Sequence, residues 1–106
     1  MMEQRKHKRY PIRLPMRVLR RGTAPFFAQG ETRNLSARGV LFVSDHRLEV
    51  GERIEFAITW PAGNRSSDPL DLYCLGKVLR VSTDPGAGCF SVAATVERYA
   101  FTRLKE

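Results

Sequence analysis

The chain has 106 residues and a formal net charge of +7, and 42% of its residues are hydrophobic, as in an ordinary globular protein. This length allows one domain with a single modest core and leaves no room for a second domain. No apolar run reaches the about eighteen residues of a membrane span, and no apolar stretch follows the first basic residues as it would in a signal peptide. A cytoplasmic protein without a membrane span is therefore expected.

The positive charge is concentrated near the N-terminus. Residues 1–22 hold eight Lys and Arg against one acid, Glu3, whereas the other 84 residues hold ten basic and ten acidic side chains. An anionic partner is therefore predicted at this end: a nucleotide, a nucleic acid, an acidic membrane surface or an acidic protein. A basic segment that serves only solubility is the alternative.

Residues 1–11 show no apolar periodicity and end at Pro11, which predicts a flexible basic arm ahead of a folded domain over residues 12–106. Arg13 to Leu19 then alternates between apolar and polar residues, as a half-buried strand does. Phe26 to Arg33 predicts a second strand.

The rest of the chain continues the strand pattern. Val40 to Val43 is an apolar run without alternation, which predicts a strand covered on both faces. Arg53 to Trp60 alternates most clearly, Leu72 to Val81 predicts a long strand in which Gly76 marks a bulge or a bend, and Phe90 to Val96 alternates again. Turn-forming residues separate these segments.

Six short strands and one short helical turn, over Tyr99 to Leu104, predict an all-β fold. A six-stranded antiparallel β-barrel is favoured over an open sandwich, because closure hides strand edges that few charged residues or prolines protect here.

The sequence predicts neither a metal site nor an active site. His7 and His46 have no Cys, Asp or Glu at ligand spacing, and Cys74 and Cys89 match no metal-binding pattern, which indicates buried free thiols. Whether the two cysteines lie close enough to pair depends on strand pairing that the sequence does not reveal. Paired carboxylates, a nucleophile elbow and a phosphate loop are all lacking, so an enzyme is not expected.

Two short motifs carry the functional prediction. Arg5 and Arg9 form an RxxxR on the arm, and Asn34, Ser36 and Gly39 form an NxSxxG between two predicted strands. Guanidinium forks match phosphate oxygens and the O6/N7 edge of guanine, and a small polar turn ending in glycine allows close approach of a ligand. In the absence of the arginines, Asn-x-Ser would be interpreted as a structural turn.

With both motifs in this order, the chain resembles the PilZ family of cyclic di-GMP receptors over nearly its whole length, and all five motif positions match. The resemblance implies a PilZ-type β-barrel that binds cyclic di-GMP through these five residues without turning it over. It further implies an arm that orders over the bound ligand and changes the interaction with an effector protein or a second copy of the chain. No other cofactor is implied.

Three neighbouring basic residues are expected to assist as auxiliaries: Lys6, Lys8 and Arg38. The number of ligand molecules bound per chain does not follow from the sequence.

Two other functions remain open at this level. A small basic β-barrel can bind single-stranded nucleic acid, although the aromatic residues of the alternating strands are predicted to be buried and not available for stacking. A PilZ-like module can also bind a protein partner without any nucleotide.

Overall fold

The computed structural model describes residues 10–61, 69–84 and 88–103. All regular secondary structure in these ranges is β-strand. The strands are β1 (Pro15–Arg21), β2 (Ala24–Leu35), β3 (Gly39–Ser44), β4 (Arg53–Trp60), β5 (Leu70–Asp84), β6 (Cys89–Thr95) and β7 (Arg98–Arg103).

Six of the seven strands close into an antiparallel barrel. The order around it is β4-β1-β2-β3-β6-β5, and a β4–β5 pairing closes the ring. The long strand β5 pairs with β4 through its first half, and its second half pairs with β6 on the opposite edge. β7 continues the line of β6 and pairs with the first half of β5. The predicted six-stranded antiparallel barrel is thus confirmed, with an additional strand.

The core consists of the inward-facing side chains of alternating positions. Phe42 and Phe56 lie at its centre, fully buried, with ring centroids 6.0 Å apart. Burial of each such aromatic or aliphatic side chain stabilises the fold by about 1.5–3 kcal/mol. The core includes Leu14, Met16, Val18, Ala28, Val40, Phe42, Leu48, Ile54, Phe56, Ile58, Leu72, Cys74, Val78, Val92 and Ala94.

Most predicted faces agree with this core. The bounds of β4 are those predicted, and Leu14, Met16 and Val18 all point inward. The interpretation of residues 40–43 was wrong, because in β3 only alternate residues are buried and Leu41 and Val43 remain half-buried. An apolar run shows that a strand is hydrophobic, but it does not reveal how much the outer face of a small barrel is covered.

The predicted C-terminal helical turn is wrong, because residues 98–103 form β7. The segment pairs in register with Leu70 to Leu75 of β5, and such backbone pairing outweighs the weak helical preference of a six-residue stretch. Tyr99 and Phe101 then lie two residues apart on one face of the strand.

Gly76 does not mark the bulge of β5, which instead falls between Val78 and Arg80. The glycine allows a close crossing: a Cβ at position 76 would lie 1.8 Å from the carbonyl oxygen of Thr95. Because glycine has no Cβ, β5 can pass close to the junction between β6 and β7. At this junction the N–H of Glu97 donates to the Leu75 carbonyl at 2.8 Å.

The two cysteines cannot pair in this fold. Cys89 lies opposite Asp84, ten residues along β5 from Cys74, or about 33 Å at ordinary strand rise. A disulfide requires Cα atoms within about 7 Å. Both thiols are free, and burial raises the pKa of Cys74 to about 12, which keeps it protonated and unreactive.

Some predictions fall on other parts of the chain. Residues 1–9 of the predicted arm and the middle of the predicted 61–69 loop lie outside the described residues. Of the part that is described, no helix has the length and apolar character needed to cross a bilayer.

Candidate functional site

The arm joins the barrel directly beside the second motif. The backbone N–H of Tyr10 donates to the Leu35 carbonyl, and that of Leu35 donates to the Tyr10 carbonyl, each at 2.9 Å. Tyr10 follows Arg9 in the chain, and Leu35 lies between Asn34 and Ser36. The residue that directly follows the first motif in sequence therefore lies against the second motif, 24 residues farther along the chain at Asn34.

Ser36 holds the turn between β2 and β3. Its Oγ accepts hydrogen bonds from the N–H of Gly39 at 3.2 Å and of Arg38 at 3.4 Å, and its hydroxyl donates to the Gly39 carbonyl at 3.3 Å. A hydroxyl has one donor and two acceptor sites, so these contacts use its full capacity. Within the described chain, Ser36 is thus a residue that shapes the motif.

Asn34 faces the outside of the barrel because of a β-bulge. The register of β2 and β3 shifts between Thr32 and Asn34, so that Arg33 is the additional residue. Thr32 before the bulge is fully buried, and Leu35 after it packs against the core. The Asn34 side chain makes no hydrogen bond to another residue of the described ranges. Bulges beside binding sites commonly redirect a side chain in this way.

Gly39 has no evident structural need to be glycine. Its φ lies outside the left-handed region, and a Cβ added there would meet the Ala94 carbonyl oxygen at 3.4 Å, an ordinary van der Waals contact. Of the two reasons that the sequence suggests for this glycine, the left-handed backbone is excluded. Close approach of another molecule is the reason that remains.

The outer face next to the motif is a row of residues across four strands. Cross-strand pairs place Leu41 beside Asn34, Ala93 beside Leu41 and Arg80 beside Ala93. These four residues, here called the motif row, extend about 14 Å at ordinary strand spacing. A β-bulge lies at each end, at Arg33 in β2 and at Leu79 in β5.

Sequence reasoning missed Arg80 and the apolar floor of this row. Arg80 and Leu79 are exposed, whereas Leu41 and Ala93 are half-buried. Arg80 forms no ion pair with any residue of the described chain. The only sequence signal was a basic residue in a predicted strand, and strand pairing was needed to place it opposite the motif.

A second row of residues borders the motif row on one side and consists of Gly39, Thr95, Lys77 and Arg53. Gly39 lies opposite Thr95, whose Oγ1 accepts a hydrogen bond from the backbone N–H of Lys77. Arg53 and Thr95 donate hydrogen bonds to Glu97, which lowers the pKa of its carboxyl. The ionised carboxylate of Glu97 partly neutralises the nearby positive charge of Lys77. Arg80 has no such acidic neighbour among its ion-pair partners in the described chain.

The structure covers the predicted site only in part. Asn34, Ser36 and Gly39 lie together, and Arg38 is exposed in the turn between them. Arg5 and Arg9, with the auxiliary residues Lys6 and Lys8, lie outside the described residues. Over the described ranges, no three His, Cys, Asp or Glu side chains form a cluster suited to a metal ion.

Comparison with known proteins agrees with this architecture. One solved structure, the Bacillus subtilis inhibitor of motility MotI/DgrA, superimposes with a TM-score of 0.69 at 17% sequence identity. The alignment covers 93% of this chain and 45% of MotI/DgrA, so this chain corresponds to less than half of that protein. At this identity the likeness concerns the fold. No curated protein matches the sequence.

The described strands define a closed antiparallel β-barrel domain, with the polar turn between β2 and β3 beside Tyr10. The profile of the family described as "PilZ domain" matches residues 3–103, and the chain belongs to this family. PilZ domains are generally non-catalytic binding modules and are typically receptors for cyclic di-GMP.

Proposed function

We propose that the protein is a non-catalytic receptor for cyclic di-GMP, which binds over the motif row. The observation that carries this proposal is the paired Tyr10–Leu35 bridge, because it brings the chain that follows Arg9 to the NxSxxG turn. An anionic dinucleotide would then lie between the arginines of the arm and the outer face of the barrel.

The chemistry of each part suits such a ligand. Arg5 and Arg9 provide forks for phosphate or guanine, and the outward amide of Asn34 can bond a purine edge. Leu41 and Ala93 form an apolar surface on which a purine ring can lie. Gly39, which has no side chain, leaves room for the ligand at the edge of this surface. Ser36 acts by holding the turn in shape.

Ligand binding is also the proposed signal. The arm would order over the ligand, so that the surface and its charge both change, and an effector protein with different affinities for the two states would detect the change. The arm carries a net charge of +3 within eleven residues, so its ordering would move a large charge for a small domain.

Calorimetric titration of the full chain with cyclic di-GMP at physiological salt tests the proposal. We expect saturable binding, with no comparable binding of GTP or of a short single-stranded oligonucleotide. Saturation at a hundredfold excess over Kd should stabilise the fold by about 2.7 kcal/mol and raise Tm by about 4–8 °C for each kcal/mol. Oligonucleotide binding without dinucleotide binding would instead assign the arm to nucleic acid.

Charge-matched variants separate specific contacts from the general field. Arg9→Ala should weaken binding about 5- to 150-fold, the range that corresponds to a bidentate contact worth about 1–3 kcal/mol. The control is Arg20→Ala, which removes the same charge. Arg20 lies opposite Pro25 in β2, nine residues and about 30 Å from Asn34. Equal losses in both variants would contradict a specific site.

Arg80 should contribute from the far end of the motif row. We expect Arg80→Ala to weaken cyclic di-GMP binding about fivefold, as the loss of one exposed charge-assisted contact would, and to leave Tm without ligand unchanged. A Kd equal to that of Arg20→Ala would place the ligand away from β5.

A further inference from the structure

β7 has one edge that no described strand pairs with. Its other edge pairs with Leu70 to Leu75 of β5 in an unbroken register. Edge strands are usually protected by a proline, a bulge or an inward-pointing charge, and Arg98 to Arg103 contains neither a proline nor a bulge. The strand therefore presents backbone N–H and carbonyl groups that are suited to pairing with another strand.

The same strand exposes two aromatic side chains. Tyr99 lies opposite Cys74 and Phe101 opposite Leu72, both of which belong to the core, so the two aromatics are on the same face of the sheet as the core. Tyr99 is 63% exposed and Phe101 is 55% exposed. An apolar face beside an open edge indicates an interaction surface.

We propose that the occupant of this edge is β7 of a second copy of the chain, in antiparallel pairing about a two-fold axis at Ala100. The order Arg98-Tyr99-Ala100-Phe101-Thr102 is self-complementary in this register. Each Tyr99 then lies beside Phe101 of the partner copy, and the two alanines meet on the opposite face, where small side chains permit close approach. Such an isologous contact is the usual basis of a homodimer.

The cross-strand pairs supply the stabilisation. Aromatic side chains at directly opposed positions stabilise an antiparallel strand pair relative to two alanines. Strand pairing with four half-exposed aromatic side chains buries on the order of 1,000 Å², at the lower end for specific interfaces. The dimer is therefore weak and depends on protein concentration.

Charge argues against the protein's own arm as the occupant. Residues 1–11 contain four Lys and Arg against one Glu, and the four basic residues all lie between positions 5 and 9. β7 begins with the exposed cation Arg98. Like charges at adjacent strand positions are unfavourable. In the two-fold register, by contrast, Arg98 lies opposite the neutral Thr102.

Sedimentation of the full chain over a range of concentrations, from about 1 to several hundred µM, tests the proposal without any nucleotide. We expect a reversible monomer–dimer equilibrium that Phe101→Lys shifts toward monomer by at least tenfold in Kd. Phe27→Lys is the matched control, since Phe27 is equally exposed at 57% but lies in β2. Unchanged thermal unfolding shows that each variant is folded.

A cross-linking experiment tests the register itself. Directly opposed residues of an antiparallel pair have Cα atoms about 4.5–5.5 Å apart, within the range of a disulfide. Under mild oxidation, Ala100→Cys should therefore form a covalent dimer, whereas Thr102→Cys should not, because its own copies are about 13 Å apart in this register.

Three results would overturn the proposal. These are a monomer at every concentration, equal dissociation of Phe101→Lys and Phe27→Lys, and equal cross-linking at positions 100 and 102. A dimer that appears only after removal of residues 1–9 would also overturn it and would assign the edge to the arm. None of these results depends on cyclic di-GMP, so the dimer and the receptor function can fail separately.

Discussion

Two glycines of the same barrel illustrate opposite uses of a missing side chain. At Gly76 a Cβ would lie 1.8 Å from a backbone oxygen, so glycine is required by the fold. At Gly39 the nearest atom would lie at 3.4 Å, so the fold tolerates a methyl group. The first glycine serves packing and the second is available for function.

This difference predicts a clean separation of effects. Gly76→Ala should destabilise the fold by about 3 kcal/mol or more, because the Thr95 carbonyl and its strand must move. Gly39→Ala should change Tm by less than about 4 °C but weaken cyclic di-GMP binding at least tenfold, because the methyl group would occupy the ligand's margin. Thermal unfolding and calorimetric titration of both variants measure this. Equal Tm losses would contradict it.

Asp71 is a second residue whose environment has a measurable consequence. It is fully buried, Arg17 Nη2 donates to its Oδ2, and Thr59 Oγ1 donates to its Oδ1 at 2.7 Å. Burial raises the pKa of this carboxyl, but the hydrogen bonds from Arg17 and Thr59 outweigh burial, and the net pKa is lowered from 3.8. The ionised pair therefore stabilises the native state.

The pKa of Asp71 is lower in the native state than in the unfolded state. The stability that this difference provides is fully present above the unfolded-state pKa and is lost as the pH falls through the native-state pKa. We expect Asp71→Asn to cost about 3 kcal/mol at pH 7, because Arg17 loses its partner. The variant should also lose less stability than the wild type below about pH 5. Urea unfolding at pH 7 and at pH 3 compares the two, and parallel losses with pH would show that Asp71 is not the group responsible.

At the scale of elements, β5 and β2 organise the molecule. β5 closes the barrel with β4, pairs with β6 and β7 in turn, and carries the bulge that brings Arg80 to the outer face. β2 carries the second bulge and pairs with the end of the arm through Leu35. The candidate site therefore lies at strand ends and irregularities, on top of regular strands.

The bridge at Tyr10 gives a prediction for the arm. Tyr10→Pro removes the N–H that donates to the Leu35 carbonyl, so the arm should lose its alignment with the motif and ligand binding should weaken at least tenfold. Tyr10→Ala keeps both backbone hydrogen bonds and is the control for the lost ring. Calorimetry distinguishes the two, and equal affinities would show that the bridge does not position the arginines.

At the scale of the whole molecule, the net positive charge is concentrated in the N-terminal part of the chain, which includes β1. The excess of +7 resides in residues 1–22, while the rest of the chain is neutral overall. Such a field attracts any anion over about one Debye length, about 8 Å at physiological salt, but does not select among anions. Under the proposed function, selection among anions comes from the geometry of the motif row.

Salt dependence therefore discriminates between ligands. Cyclic di-GMP has two phosphates, so the slope of log K against log salt should be no steeper than about −1.4, whereas an oligonucleotide should show about −0.7 for each phosphate contacted. Titrations at several salt concentrations measure both slopes. A dinucleotide slope much steeper than −1.4 would indicate general attraction by the arm.

The sequence by itself determined the barrel, the inward faces of β1 and β4, the location of the charge and the two motifs, because alternation and residue chemistry are local properties. It also led to errors at β3, at the bulge of β5 and at the C-terminal segment, where burial and strand pairing depend on distant residues. Only the tertiary structure placed the end of the arm against Leu35, brought Arg80 into line with Asn34, and separated Cys74 from Cys89. Each of these depends on strand register, which is set by backbone pairing between segments far apart in the chain.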